Sequence, residues 1–174
     1  MKPINTALCS FGMSGWVFHA PFITTHPGFQ LHGVWERTKN LAEEKYPGVK
    51  TFRSLEAMLK DDAIELVVVN TPSVTHFEYA KQALEAGKHI IVEKPFTATV
   101  AEAEELIALA AKKNLHLSVY QNRRYDSDYR TVKKILDEGW LGPIVEAEIH
   151  YDRFVPELSY KLHKETPTPA VGAL

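Results

Sequence analysis

The first place where this chain of 174 residues could do chemistry is a run of small residues after its first apolar strand. Ser10, Gly12 and Gly15 follow a strand expected over residues 4–9 and lead into a helix start. A dinucleotide site needs a tight turn, close backbone approach to a pyrophosphate, and free N–H groups at a helix start. The usual spacing is G-x-G-x-x-G. Here Ser10 replaces the first glycine, and it is expected to crowd the turn and weaken binding without abolishing it. Met13, Ser14 and Trp16 complete the turn. Glu36 lies twenty-one residues after Gly15, at the end of a second expected strand. A carboxylate there can accept both ribose hydroxyls of an adenosine, which favours NAD. Arg37 beside it offers a guanidinium for a 2′-phosphate, so NAD and NADP both stand, as does an ordinary solvated strand end.

Three further polar clusters fall after later strands. Thr71-Pro72 with His76 follows the fourth, Glu93-Lys94-Pro95 the fifth, and Gln121-Asn122-Arg123-Arg124 the sixth. Open parallel sheets bind ligands in the crevice at the carboxyl ends of their strands. Loops on that edge are often polar without function, so the combination with a phosphate-type turn carries the signal.

The elements that must position these residues are legible from apolar spacing and turn residues. Strands are expected over 30–35, 49–52, 64–69, 89–92 and 115–120. The run over 64–69 is nearly all apolar, which predicts a strand covered on both faces. A helix opens at the glycine turn and is limited or kinked by Pro21. Thr38 caps a short helix carrying Leu41 and Ala42, and Ser54 caps another that runs to Lys60. Phe77, Ala80 and Leu84 share one face of a helix over 74–86, with Gly87 as its C-cap residue. Thr99-Val100-Ala101-Glu102 is a capping box at the head of a longer apolar-periodic helix. A last helix is expected over 128–138. This alternation calls for an α/β fold, a Rossmann-type doubly wound parallel sheet with helices on both faces.

Beyond it the rhythm changes. Residues 144–154 alternate as one longer strand, followed by a Pro-containing tail. The reading is the truncated beginning of an α/β open-sheet domain; the alternative is an edge strand with a loose tail. The expected division is a dinucleotide-binding domain over 1–122, a connecting helix and loop over 123–143, and the incomplete start of a substrate and oligomerisation domain over 144–174.

Composition excludes other classes. Lys plus Arg number 20 and Asp plus Glu 22, a formal charge of −2, which gives no support to a nucleic-acid surface. The single cysteine, Cys9, excludes an intramolecular disulfide framework and any multi-cysteine metal site, so no metal is expected. No apolar run approaches the roughly 18 residues that cross a bilayer, and the start lacks a signal-peptide core. A cytoplasmic setting is the expectation.

The pattern resembles the Gfo/Idh/MocA family of NAD(P)-dependent oxidoreductases. The matching pieces are Gly12-Met13-Ser14-Gly15 with Phe18-His19-Ala20-Pro21, Asn70-Thr71-Pro72 with His76, Glu93-Lys94-Pro95-Phe96, and Tyr120-Gln121-Asn122-Arg123-Arg124-Tyr125. The resemblance implies a cofactor domain followed by an α/β domain with a large open sheet. It also implies oxidation or reduction of a hydroxyl or carbonyl on a sugar, polyol or related small molecule. Lys94 matches the family's catalytic lysine, and Glu93 would orient it or line the nicotinamide pocket. Pro95 is expected after a cis peptide. Thr71, Pro72 and His76 would contact the middle of the cofactor. Asn122 and Arg123 would border cofactor and substrate, while Arg124 and Tyr125 have no separate role assigned. His19 either serves the site or fills space under the glycine turn. The family's second domain supplies an aspartate and a histidine that work with the lysine, and none of the residues here fits them. The expectation is a chain that binds cofactor without efficient turnover, within a complete protein that is a homo-oligomer. A regulatory module that binds a dinucleotide without chemistry is the alternative.

Overall fold

Of the 174 residues, the computed structural model describes 2–150 together with Asp152 and Phe154. Residues up to Tyr120 form one compact unit, and the described residues from Gln121 onward belong to a second.

Six strands build the first unit: β1 (Ile4–Leu8), β2 (Phe29–Trp35), β3 (Lys50–Phe52), β4 (Leu66–Val69), β5 (His89–Val92) and β6 (Leu117–Val119). They pair in the order β3-β2-β1-β4-β5-β6, every pair parallel. Helices α1 (Ala20–Thr25), α2 (Leu41–Lys45), α3 (Leu55–Leu59), α4 (His76–Glu85) and α5 (Val100–Lys113) connect them. The chain runs outward from β1 to β3, then returns to β1's other side as β4. That reversal is the topological switch point of a doubly wound sheet.

Successive strand residues point to opposite faces, and the core divides accordingly. Ala7, Cys9, Val67, Val69, Ile90 and Val92 gather with Leu55 and Met58 of α3, Ala80, Ala83 and Leu84 of α4, and Leu106 and Ala110 of α5. Leu8, Val34 and Val68 face the other way, onto Ala20 of α1 and Ala42 of α2. All four residues of β4 are buried, as expected of an apolar strand covered twice. Burial pushes the Cys9 thiol up to about 12, so it behaves as a small apolar side chain.

Local signals act where they were read. Ser54 accepts a hydrogen bond from the Ala57 amide. At Thr99 both halves of the capping box form: its hydroxyl takes the Glu102 amide at 3.2 Å, and the Glu102 carboxylate takes the Thr99 amide at 3.1 Å. Gly87 follows α4 with a φ of +77°, a conformation that favours glycine.

Three expectations change. Pro21, expected to limit or kink a helix, does not end one; it sits in the first turn of α1, and the chain is helical on both sides of it. Asn40, not Thr38, is the N-cap residue of α2, and its side chain makes no capping bond. The third change lies in the second unit. There a 3-10 turn (Asn122–Tyr125) precedes α6 (Ser127–Asp137), close to the helix expected over 128–138. No strand forms over 144–150. Alternating side chains favour a strand, but its backbone still needs a paired neighbour, and these residues are exposed with none among the described residues. The rest of that expected strand, apart from Asp152 and Phe154, and the tail to 174 lie outside the described residues.

The Thr99 cap gives a direct test of the helix that covers one sheet face. Thr99→Ala is expected to lower unfolding stability by about 1 kcal/mol, and Thr99→Ser by much less. Thermal unfolding followed by circular dichroism reads both; equal losses would assign the effect to the methyl group.

Candidate functional site

The carboxyl ends of β1, β4 and β5 bring the sequence-derived residues of the first unit to one edge. The turn after β1 is built on Ser10. Its hydroxyl accepts the Gly12 amide at 3.1 Å, and its carbonyl accepts Asn70 Nδ2 at 2.8 Å. The serine is therefore accommodated: its hydroxyl folds back onto the turn. A Cβ on Gly12 would meet nothing nearer than Ser10 Oγ at 3.5 Å. Gly15 is different. A Cβ there would lie 2.3 Å from the Ser10 carbonyl oxygen and 3.0 Å from Asn70 Nδ2, so the backbone approach exists only with glycine.

The helix expected directly after this turn begins as a π-helical turn (Ser14–His19), which then gives way to α1. Such turns are frequent at functional sites. Met13 and Trp16 are exposed along it, and Lys45 Nζ lies 4.4 Å from the centre of the Trp16 ring.

Asn70 ends the apolar strand β4 and is buried, yet its Oδ1 has no hydrogen-bond partner. Buried acceptors are normally satisfied. A required glycine and an unpaired acceptor, side by side at the switch point, fit a phosphate- and hydroxyl-bearing ligand. Asn70 stands in the Asn70-Thr71-Pro72 motif, where the sequence alone assigns it no role. A lone polar residue closing an all-apolar strand was the available signal.

Glu93 joins this turn to the segment after β5. Its Oε1 accepts from Ser14 Oγ at 2.6 Å and faces His19 Nε2 at 2.9 Å. Its Oε2 accepts the Lys94 amide at 3.2 Å. Burial works to raise the Glu93 pKa, but the hydrogen bonds from His19 and Ser14, the His19 charge and the Lys94 amide outweigh it. The net effect holds the carboxyl below its ordinary value. The His19 ring also lies tilted against that of Tyr120, centroids 4.4 Å apart, while Tyr120 Oη donates to the Phe18 carbonyl at 2.9 Å. Burial, and then the Glu93 charge, raise the Tyr120 pKa. His19 thus belongs to the carboxylate cluster and does more than fill space.

Lys94 is exposed, and its ammonium has no hydrogen-bond or ionic partner among the described residues. The Lys94–Pro95 bond is cis, as the resemblance implied. His76 is wholly buried and spans two loops, with Nδ1 2.8 Å from the Pro95 carbonyl and Nε2 2.9 Å from the Thr71 carbonyl. It therefore fixes the loops rather than presenting an imidazole at the edge. Thr71 Oγ1 lies 2.7 Å from Thr75 Oγ1, which itself donates to the Pro72 carbonyl. Thr71 must then be the donor to Thr75, since each hydroxyl has one proton to give.

Glu36 is buried, its oxygens accepting the Leu41 amide at 3.3 Å and the Ala42 amide at 3.0 Å, whereas Arg37 is exposed. Asn122 and Arg123 fall in the second unit, where Arg123 Nη1 donates to Asp126 Oδ2 at 2.8 Å.

Comparison with known proteins bears on this arrangement. Residues 4–121 match the family model described as the oxidoreductase family with an NAD-binding Rossmann fold. An uncharacterized oxidoreductase of Schizosaccharomyces pombe is 46% identical over 178 residues, covering 99% of this chain and 48% of that protein. The scyllo-inositol 2-dehydrogenase (NADP(+)) IolW of Bacillus subtilis is 37% identical over 171 residues, covering 98% and 48%. Among solved structures, that of yvaA from Bacillus subtilis superposes with a TM-score of 0.87 at 37% identity, covering 91% of this chain and 46% of that one. The chain spans about half the length of the relatives it matches.

The Glu93 cluster sets a pH dependence. A carboxyl that titrates below its ordinary value in the fold adds stability above the unfolded pKa, about 4.3, and loses it as pH falls through the folded value. Glu93→Gln is expected to cost about 1–2 kcal/mol near neutrality. The gap from the parent chain should shrink below about pH 4.3. Urea unfolding at several pH values reads it, and a gap independent of pH would remove the charge from the account.

Proposed function

The chain belongs to the Gfo/Idh/MocA oxidoreductase family, and from that premise we propose that it binds NAD or NADP for hydride transfer involving a sugar or polyol. The transfer would run between the nicotinamide and a hydroxyl or carbonyl carbon of that substrate. One observation carries the reading: the 2.6 Å bond from Ser14 to Glu93 ties the glycine turn to the segment that bears Lys94. A phosphate cradle and a cationic side chain thus belong to one hydrogen-bonded unit. The relative named as a scyllo-inositol 2-dehydrogenase (NADP(+)) supports both the polyol class and the cofactor.

Gly12, Met13, Ser14 and Gly15, with Trp16, would hold the pyrophosphate end of the cofactor. Thr71 and Pro72 would border its middle, on loops that His76 and Glu93 hold in place. The bound nicotinamide supplies the hydride acceptor or donor. Lys94 would meet the reacting oxygen, where an ammonium stabilises a developing alkoxide or relays its proton. Asn122 and Arg123 join the proposal by their motif positions alone. The complete protein, a homo-oligomer acting in the cytoplasm on this reading, would place a second proton-handling group beside Lys94. None of the described residues is assigned that part, so the 174 residues by themselves would bind cofactor without efficient turnover.

Calorimetric titration of the chain with NADH and, separately, NADPH tests the reading. Saturable binding of at least one is expected. Gly15→Ala should weaken it roughly tenfold or more, about 1.4 kcal/mol per decade, because the added Cβ would lie 2.3 Å from the Ser10 carbonyl. A chain shown to be folded that binds neither coenzyme would overturn the proposal.

A further inference from the structure

Sites of this type choose between NAD and NADP at the end of the second strand, where a carboxylate takes the ribose hydroxyls or a guanidinium takes a 2′-phosphate. Glu36 and Arg37 place both groups side by side in the sequence. Their environments separate them.

Glu36 is 8% exposed, and both its carboxylate oxygens accept amides at the head of α2, Leu41 at 3.3 Å and Ala42 at 3.0 Å. Its backbone is held as well. The Glu36 amide donates to the Phe52 carbonyl at 2.9 Å, and the Glu36 carbonyl accepts Arg53 Nη1 at 3.0 Å. Arg53 also donates to the Lys39 carbonyl at 2.7 Å and to Asn40 Oδ1. One guanidinium thus pins the loop that runs from Glu36 to Asn40. Turning the Glu36 carboxylate outward to a ribose would strip the Leu41 amide and the buried Ala42 amide of their acceptors, and a buried donor left unpaired is costly.

Arg37, Thr38 and Lys39 are exposed on that pinned loop. Neither the Arg37 guanidinium nor the Lys39 ammonium has a hydrogen-bond or ionic partner among the described residues. The guanidinium of Arg53, itself an exposed residue, is taken up by the Glu36 and Lys39 carbonyls and Asn40 Oδ1, so the unpartnered cationic groups of this loop are Arg37 and Lys39. Resting on the reading that the first unit binds a nicotinamide dinucleotide, we infer that the chain selects the 2′-phosphorylated cofactor, NADP(H). Arg37 is the specificity-determining residue, and Glu36 is a helix cap that takes no part in reading the ribose. A guanidinium matches a phosphate with two parallel hydrogen bonds, which an ammonium does not. Lys39 adds charge to the same loop.

The test is calorimetric titration of the whole chain with NADPH and NADH, and with the fragments 2′,5′-ADP and 5′-ADP, which differ only in where the second phosphate sits. NADPH is expected to bind at least about tenfold more tightly than NADH, equivalent to 1.4 kcal/mol. The 2′,5′-ADP fragment should compete with NADPH where 5′-ADP does not. Arg37→Ala, an exposed substitution, should weaken NADPH by roughly tenfold and leave NADH within about twofold. NADH binding as tightly as NADPH, or a ratio unmoved by Arg37→Ala, overturns this inference and leaves the dinucleotide reading standing. Failure of the folded chain to bind either coenzyme overturns that reading, and the inference with it.

Discussion

A carboxylate with three donors around it governs the edge of this sheet. Glu93 lies after β5, while the glycine turn follows β1, and β4 runs between the two strands. Only a side chain can close that gap, and Glu93 closes it through Ser14 and His19. Burial alone would favour the neutral acid, which could accept less and would have to donate a proton. The surrounding donors reverse that preference. The charge and the geometry support each other: His19 and the Ser14 hydroxyl favour the ionised carboxylate, and that carboxylate accepts from the turn. His19 enters the same cluster from the end of the π-helical turn, and the Tyr120 ring lies against it.

The two glycines of the turn do different work, which the spacing of a motif does not convey. At Gly15 the obstacle to a side chain is backbone, the Ser10 carbonyl, and backbone cannot rotate aside. At Gly12 the nearest atom is a hydroxyl at ordinary contact distance, so the strand-to-turn passage imposes no comparable limit there. Ser10 itself shows that the first position tolerates a Cβ. Its hydroxyl accepts the Gly12 amide, so one amide of the turn already has a partner in this protein. The substitution changes which N–H groups remain for a phosphate more than it changes the path of the chain.

The sheet was legible in the sequence because strand signals and strand environment coincide. The apolar run 64–69 contains the central strand β4, residues 89–92 coincide with β5, and the Thr99 capping box forms as written. Those features depend on residues close in sequence. What could not be read depends on partners far away. Both Glu36 carboxylate oxygens accept amides of α2, while Phe52 and Arg53 hold its backbone, contacts that no sequence pattern displays. The union of Ser14, His19 and Glu93 likewise joins residues more than 70 positions apart. Residues 144–150 err in the other direction. Their alternation describes how side chains would divide between two faces, and it says nothing about whether a neighbouring strand is there to take the backbone hydrogen bonds.

Lys94 shows what this arrangement achieves for chemistry. Its own amide donates to Glu93 Oε2, and on its other side the Pro95 carbonyl faces buried His76. The backbone is thus held on both flanks, by half-buried Glu93 and buried His76, which also hold the neighbouring loops. The ammonium has no partner among the described residues, so it is free to meet an oxygen that a ligand brings. A fixed backbone limits where the ammonium can reach, and an unpaired head group means no internal contact must break before it acts. A lysine serving only to solubilise the loop would need neither flank anchored. Anchored flanks around one exposed cation without a partner among the described residues support the proposed role of Lys94 at the reacting oxygen.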